Sequence, residues 1–169
     1  MVCILHYLKV TYLQHNAHAK EVTMMKKALG LDVGDSKIGV AVSDGLGYTA
    51  QGVTTFRRKS LQKDLHYIQK LIRDNGVGEV IVGLPLKMDG HYSSQTNKIL
   101  SFCDFLEKNL RVPVRTWDER LTTVQAIKIL KRGHVRRKKR APLIDKVAAV
   151  IILQGYLDRQ SMLQDVQAF

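Results

Sequence analysis

The sequence predicts an α/β protein: a mixed five-stranded sheet, three antiparallel strands and then two parallel ones, flanked by helices. Two observations carry this. Short apolar runs rich in β-prone residues recur at 28–33, 38–43, 52–57, 79–85 and 112–117, punctuated by Gly, Pro and Asp, as strands are. Apolar residues at helical spacing follow the third, fourth and fifth runs but not the first two. Antiparallel neighbours need only a turn, whereas parallel ones need a crossover.

ALGLDV and IGVAVS, joined by GDSK, read as a hairpin. GVTTFR follows a Gly-rich turn at 44–47 and supplies the third strand. Over 60–75, Leu61, Leu65, Ile68, Leu71 and Ile72 share one helical face, with Gly76 beyond the end. EVIVGLP is a continuous apolar run closed by Gly-Leu-Pro, the pattern of a strand buried on both faces. A polar loop through Asp89 and Gly90 leads to a helix whose buried stripe is Ile99, Leu100, Cys103, Leu106 and Leu110. VPVRTW is the fifth strand. Thr122 or Thr123 is then expected to cap a third helix carrying Val124, Ile127 and Leu130 and closed by Gly133. Pro142 suits the first turn of the last helix.

At 169 residues the chain is expected to hold one domain, spanning 28–160, with an extension at 1–27 and a tail at 161–169. The extension, with His6 and Lys9 inside its apolar part and no Arg or Ser, is a poor match to a secretory or organelle-transit segment. A cytoplasmic location is expected, with a plastid or mitochondrion as the alternative if residues 1–27 are a targeting segment. Cys3 and Cys103 form neither a disulfide framework nor a metal-ligand pair. No apolar run approaches the ~18 residues of a membrane span, so no membrane partner is expected.

Twenty-seven Lys and Arg against fifteen Asp and Glu leave a net charge of +12, which attracts polyanions, nucleic acid first. The excess is clustered in KRGHVRRKKR at 131–140: Lys131, Arg132, Arg136, Arg137, Lys138, Lys139 and Arg140. Such residues hold phosphates without reading sequence. A solvated face and a nuclear-localisation signal are the competing readings of such a run.

The run lies just ahead of APLIDKVAAVIIL, 141–153, an apolar helix with Asp145 near its start. A carboxylate entering a core is costly unless paired. Two more acids lie at element ends: Asp32 inside LDVG, and Glu119 beside Asp118 after the fifth strand. With the first strand central, Asp32, Glu119 and Asp145 would converge. Mg²⁺ or Mn²⁺ would relieve their repulsion while keeping positions open for water and phosphate. Two such ions ~4 Å apart are the common device for phosphodiester cleavage. Each acid also has a plainer account: Asp32 as a turn residue, Glu119 as the ion partner of Arg120, Asp145 as a first-turn residue favoured by the helix dipole.

GLDVGDSKIGVAVSD, VIVGLPLKMDG, WDERLTT and RRKKRAPLIDKVAAVIILQGYLD, in that order from Gly30 to Asp158, resemble the YqgF/RuvX family, Holliday-junction-resolvase-like nucleases of the RNase H-like superfamily. The resemblance implies an RNase H-like fold and metal-dependent phosphodiester hydrolysis. It places the family's acids on Asp32, Glu119 and Asp145, with Asp118 as the alternative to Glu119. Bacterial members are associated with maturing the 5′ end of the small-subunit rRNA precursor, so pre-rRNA is the expected partner, branched DNA the alternative, and the chain a monomer or homodimer. Asp35-Ser36-Lys37 stands where the family commonly has a small residue and Lys-Arg, and Lys87 where it often has Asn. Two other classes compete. A sugar-kinase-like ATPase would need two lobes and a second DxG. A non-catalytic nucleic-acid-binding module would use the 131–140 run alone.

Overall fold

β1 (Lys27–Val33), β2 (Lys37–Ser43) and β3 (Ala50–Arg57) form an antiparallel meander. The computed structural model describes residues 26–86, 93–118, 122–133 and 137–167. β4 (Val77–Leu84) pairs parallel with β1, and β5 (Val114–Asp118) parallel with β4, giving the order β3-β2-β1-β4-β5. The first strand is therefore central, as the sequence required for its carboxylate to sit among other elements.

The alternation of each strand divides the sheet into two faces. Leu29, Leu31 and Val33 of β1, Ile38, Val40 and Val42 of β2, and Val80, Val82 and Leu84 of β4 build the larger core. This face is covered by α1 (Leu61–Asn75) and α2 (Ser94–Asn109), through Leu65, Ile68 and Leu71 of the first and Ile99, Phe102 and Leu106 of the second. On the other face Ala28, Ala41 and Ile81 pack against Ala149, Ile152, Leu153 and Tyr156. These belong to α4 (Arg137–Gln167), on which α3 (Thr122–Arg132) rests.

Local chemistry sets the helix ends. Ser60 accepts the backbone N–H of Lys63, and Gly76 closes α1 with φ 65°, a left-handed conformation that suits a residue without Cβ. Ser93 and Thr96 form a reciprocal capping box on α2. Cys103 is buried in α2, where desolvation pushes its thiol up to about 11, consistent with a packing role.

Three expectations need correction. Val124 is 45% exposed; Leu130 is buried as expected, and Ala126, four residues before it, is the other buried position among the described residues of α3. Thr122 already belongs to the α3 helix, so it does not stand before it as a cap; the residues preceding it, 119–121, lie outside the described structure. α4 starts at Arg137, not at Pro142. Proline there forfeits one helical hydrogen bond, and the helix accommodates it because the long apolar face beyond it anchors the element. α4 also continues past residue 160 to Gln167. No helix of the described residues is long and apolar enough to cross a membrane.

Candidate active site

Gly39 is where the site is built. It pairs with Asp32 across the β1–β2 ladder, and a Cβ placed on it would overlap the backbone carbonyl of Asp145. A side chain at 39 would thus push α4 off the sheet. Gly30 works the same way farther along, its virtual Cβ falling 2.7 Å from Cβ of Leu153. Ala148 and Ala149, both fully buried, complete the flat contact. Close packing of small residues lets the helix lie low enough for Asp145 to reach the carboxylate of β1.

Asp32 points to that helix. Its neighbours Leu31 and Val33 belong to the opposite core, so the alternation turns Asp32 toward α4. The charges sense one another: the Asp32 carboxyl is pushed up to about 7, first by burial and second by the negative charge of Asp145. Neither carboxylate has a hydrogen bond or ion pair to another described residue. One more polar atom is stranded on the same rank, because Thr55 pairs with Gly39 and its Oγ1 is buried without a hydrogen-bond partner.

Two close, unpaired carboxylates cost stability. Their position also removes the plainer account of Asp145. It lies eight residues beyond Arg137, roughly 12 Å along the helix, whereas the dipole's influence fades within the first turn. Asp32 precedes the turn, which is closed by Gly34 N–H donating to the Lys37 carbonyl at 2.9 Å, so turn chemistry does not account for it either. A hard divalent cation fits this all-oxygen donor set, and an ordered ligand shell would also satisfy Thr55.

Glu119 lies outside the described residues, so two of the three expected carboxylates are seen together. Among the described residues no group of three or more His, Cys, Asp or Glu converges. Asp118 ends β5 with its side chain exposed and engaged. Trp117 packs on the α4 side against Tyr156, ring centroids 5.8 Å apart at 86°, while Val114 packs on the opposite core. By alternation Asp118 shares the side of Val114, away from Asp32.

Of the basic run, Lys131 and Arg132 are exposed at the end of α3. Arg136 lies outside the described residues. Arg137, Lys138, Lys139 and Arg140 occupy the opening turn of α4, which carries no acidic residue. Cations at a helix N-terminus oppose the dipole, so this arrangement costs stability that an approaching polyanion would restore. Sequence reasoning missed the pairing of buried Asp64 with Arg58 at 3.2 Å and the basic, aromatic surface beside it. No motif marks either one, because the pairing depends on how α1 docks.

The chain matches the sequence profile of the family described as RuvX, Holliday junction resolvase, over residues 26–159. It is 48% identical over 132 residues to a protein of Clostridium novyi named "Putative pre-16S rRNA nuclease", covering 78% of this chain and 98% of that one. A Clostridium botulinum protein of the same name is 48% identical over 135 residues, covering 80% and 98%. Among solved structures, the Fowlpox virus Holliday junction resolvase superposes with a TM-score of 0.52 at 15% identity, covering 79% of this chain and 99% of that one. RuvC of Thermus thermophilus gives 0.50 at 14%, covering 80% and 96%. At these identities the structural matches speak for the RNase H-like fold.

Proposed function

The chain belongs to the RuvX family of Holliday junction resolvases, and on that premise we propose that it is a divalent-metal-dependent nuclease that processes the 5′ end of a small-subunit, 16S-type rRNA precursor. The observation that carries the catalytic reading is the Asp32–Asp145 pair, brought together by Gly39 and left without a cationic partner among the described residues. The substrate reading is supported by the names of relatives that share nearly half of its residues over almost their whole length.

In this reading Asp32 and Asp145 hold Mg²⁺ or Mn²⁺, two ions when fully loaded, and Glu119 completes the set. Asp118 lies on the side of β5 away from Asp32, which favours Glu119 over it. The metal supplies, when bound, water activation and charge neutralisation at the scissile phosphate. The half-buried setting of Asp32 limits competing solvent, and its raised carboxyl makes metal loading compete with a proton near neutral pH. Lys131, Arg132 and the 136–140 cluster hold flanking phosphates, with the α4 dipole adding to their field. Residues 28–160 are the catalytic unit, and it works where ribosomal precursors are made: the cytoplasm, or a plastid or mitochondrion.

The test compares a precursor carrying the 5′ end of small-subunit rRNA with a four-way DNA junction, each with Mg²⁺, Mn²⁺ or EDTA. Cleavage of the RNA alone, lost in EDTA and in Asp32→Asn and Asp145→Asn, is the expected result. Cleavage of the junction alone would reassign the enzyme as a resolvase. Undiminished cleavage by either variant would reject the site.

A further inference from the structure

At the same end of the sheet, beside α1, the chain presents a second surface suited to nucleic acid. Where β2 begins and β3 ends, Lys37 pairs with Arg57 and Ile38 with Phe56. The Phe56 ring meets Tyr67 of α1, centroids 4.6 Å apart at 57°. Around these rings lies a cavity of about 510 Å³ lined in part by Arg57, Lys59, Lys63 and His66. Arg57 also borders a second cavity of about 460 Å³ formed with Asp35, Ser36, Lys37 and Arg58. That cavity begins at the β1–β2 turn, three residues past Asp32. One basic path thus runs from the β1–β2 turn, just past Asp32 in the chain, to the two rings.

The acids along this path are engaged. Asp64, 3% exposed, binds Arg58 at 3.2 Å and accepts the Lys59 backbone N–H at 3.1 Å. Asp35 pairs with Lys98 at 3.0 Å. Arg58 is itself held, 4.9 Å over the Phe102 ring, so it belongs to the fold. Arg57, Lys59 and Lys63 are exposed and have no acidic partner among the described residues. A face that is merely solvated needs no aromatic ring, yet Tyr67 stays 36% exposed. Cations beside an accessible ring are what an unpaired strand requires: phosphates on the charges and a base on the ring. A closed duplex offers no such base.

We propose that this path is a subsite for the single-stranded segment flanking the cleavage point, with a base stacked on Tyr67 and adjacent phosphates on Arg57, Lys59 and Lys63. The assignment rests on the nuclease reading above, and with the substrate proposed there the strand is RNA. The test uses full-length protein carrying Asp145→Asn and fluorescence anisotropy. The probes are a blunt RNA hairpin, the same hairpin with an unpaired 5′ extension of about eight nucleotides, and that hairpin with a DNA extension.

The extended RNA should bind more tightly than the blunt one. Tyr67→Ala should weaken the extended probe roughly 5- to 100-fold, while Tyr67→Phe, which keeps the ring, should not. The triple Arg57→Ala, Lys59→Ala, Lys63→Ala change should lower the salt slope for that probe by about 2. All variants should bind the blunt hairpin as the parent does. Equal affinity for blunt and extended probes, equal losses on both, or losses confined to the DNA extension would overturn the proposal. Because binding is read without cleavage, this pattern in Asp145→Asn protein together with a parent protein that cleaves neither the RNA precursor nor the DNA junction would sink the nuclease reading and not the subsite.

Discussion

Asp32 carries opposite consequences for stability and for catalysis. Its folded carboxyl titrates at about 7, above the ordinary 3.8. The folded state therefore holds a proton that the unfolded chain has released. Stability from the protonated form is complete below about pH 4, falls as the pH rises through that window, and is gone above about 7. Three pKa units correspond to roughly 4 kcal/mol, an upper figure for a half-buried group. Asp32→Asn removes the dependence. Denaturant unfolding in EDTA should show the variant gaining on the parent by up to about that amount between pH 4 and pH 8. Parallel curves would contradict the burial argument. Mg²⁺ at pH 8 should raise the melting temperature of the parent and leave Asp32→Asn nearly unchanged. Asp32 was legible in the sequence because an acid inside an apolar run has few structural uses. Whether Asp118 or Glu119 joins it was not legible, since that depends on the face of β5 each residue takes.

At the scale of elements, α4 is set by what it touches. Gly39→Ala should force it away from β2, costing about 1–3 kcal/mol or more, and should depress cleavage beyond any loss of folded protein. Circular dichroism melts beside activity at a temperature well below both midpoints would check this. Gly76→Ala is the matched control: it strains a left-handed residue at the distant end of α1, should cost about 1 kcal/mol, and should leave activity of the folded fraction intact. The hairpin and the close of α1 at Gly76 were readable from Gly and apolar spacing alone. The start of α4 was not. Its basic opening turn carries no apolar period, and Pro142 imitates a first-turn residue. Val124 misled for a related reason: on a short helix an apolar residue satisfies more than one helical stripe, and the docking of α3 against α4 kept Leu130 but took Ala126 in place of Val124.

Across the whole molecule, the excess of Lys and Arg behind the net charge of +12 includes two groupings, the 131–140 run and the basic path by Tyr67. Replacing Arg137, Lys138, Lys139 and Arg140 with Ser should weaken RNA binding at all sequences and lower the salt slope by roughly 0.7–0.9 per charge lost at phosphate. A salt titration of binding would check it, and an unchanged slope would remove the run from the interface. The division into three antiparallel and two parallel strands followed from the lengths of the connections. The second basic surface could not be foreseen, because it joins the end of β3 to one face of α1 and exists only once they pack.

The central claim is that Asp32 and Asp145 are metal ligands. Its most direct measurement is the anomalous scattering of Mn²⁺ soaked into crystals of the protein. The account predicts Mn²⁺ at coordination distance, about 2.0–2.3 Å, from carboxylate oxygens of both Asp32 and Asp145, and its loss in Asp145→Asn. Mn²⁺ bound elsewhere, with this pair untouched, would contradict it.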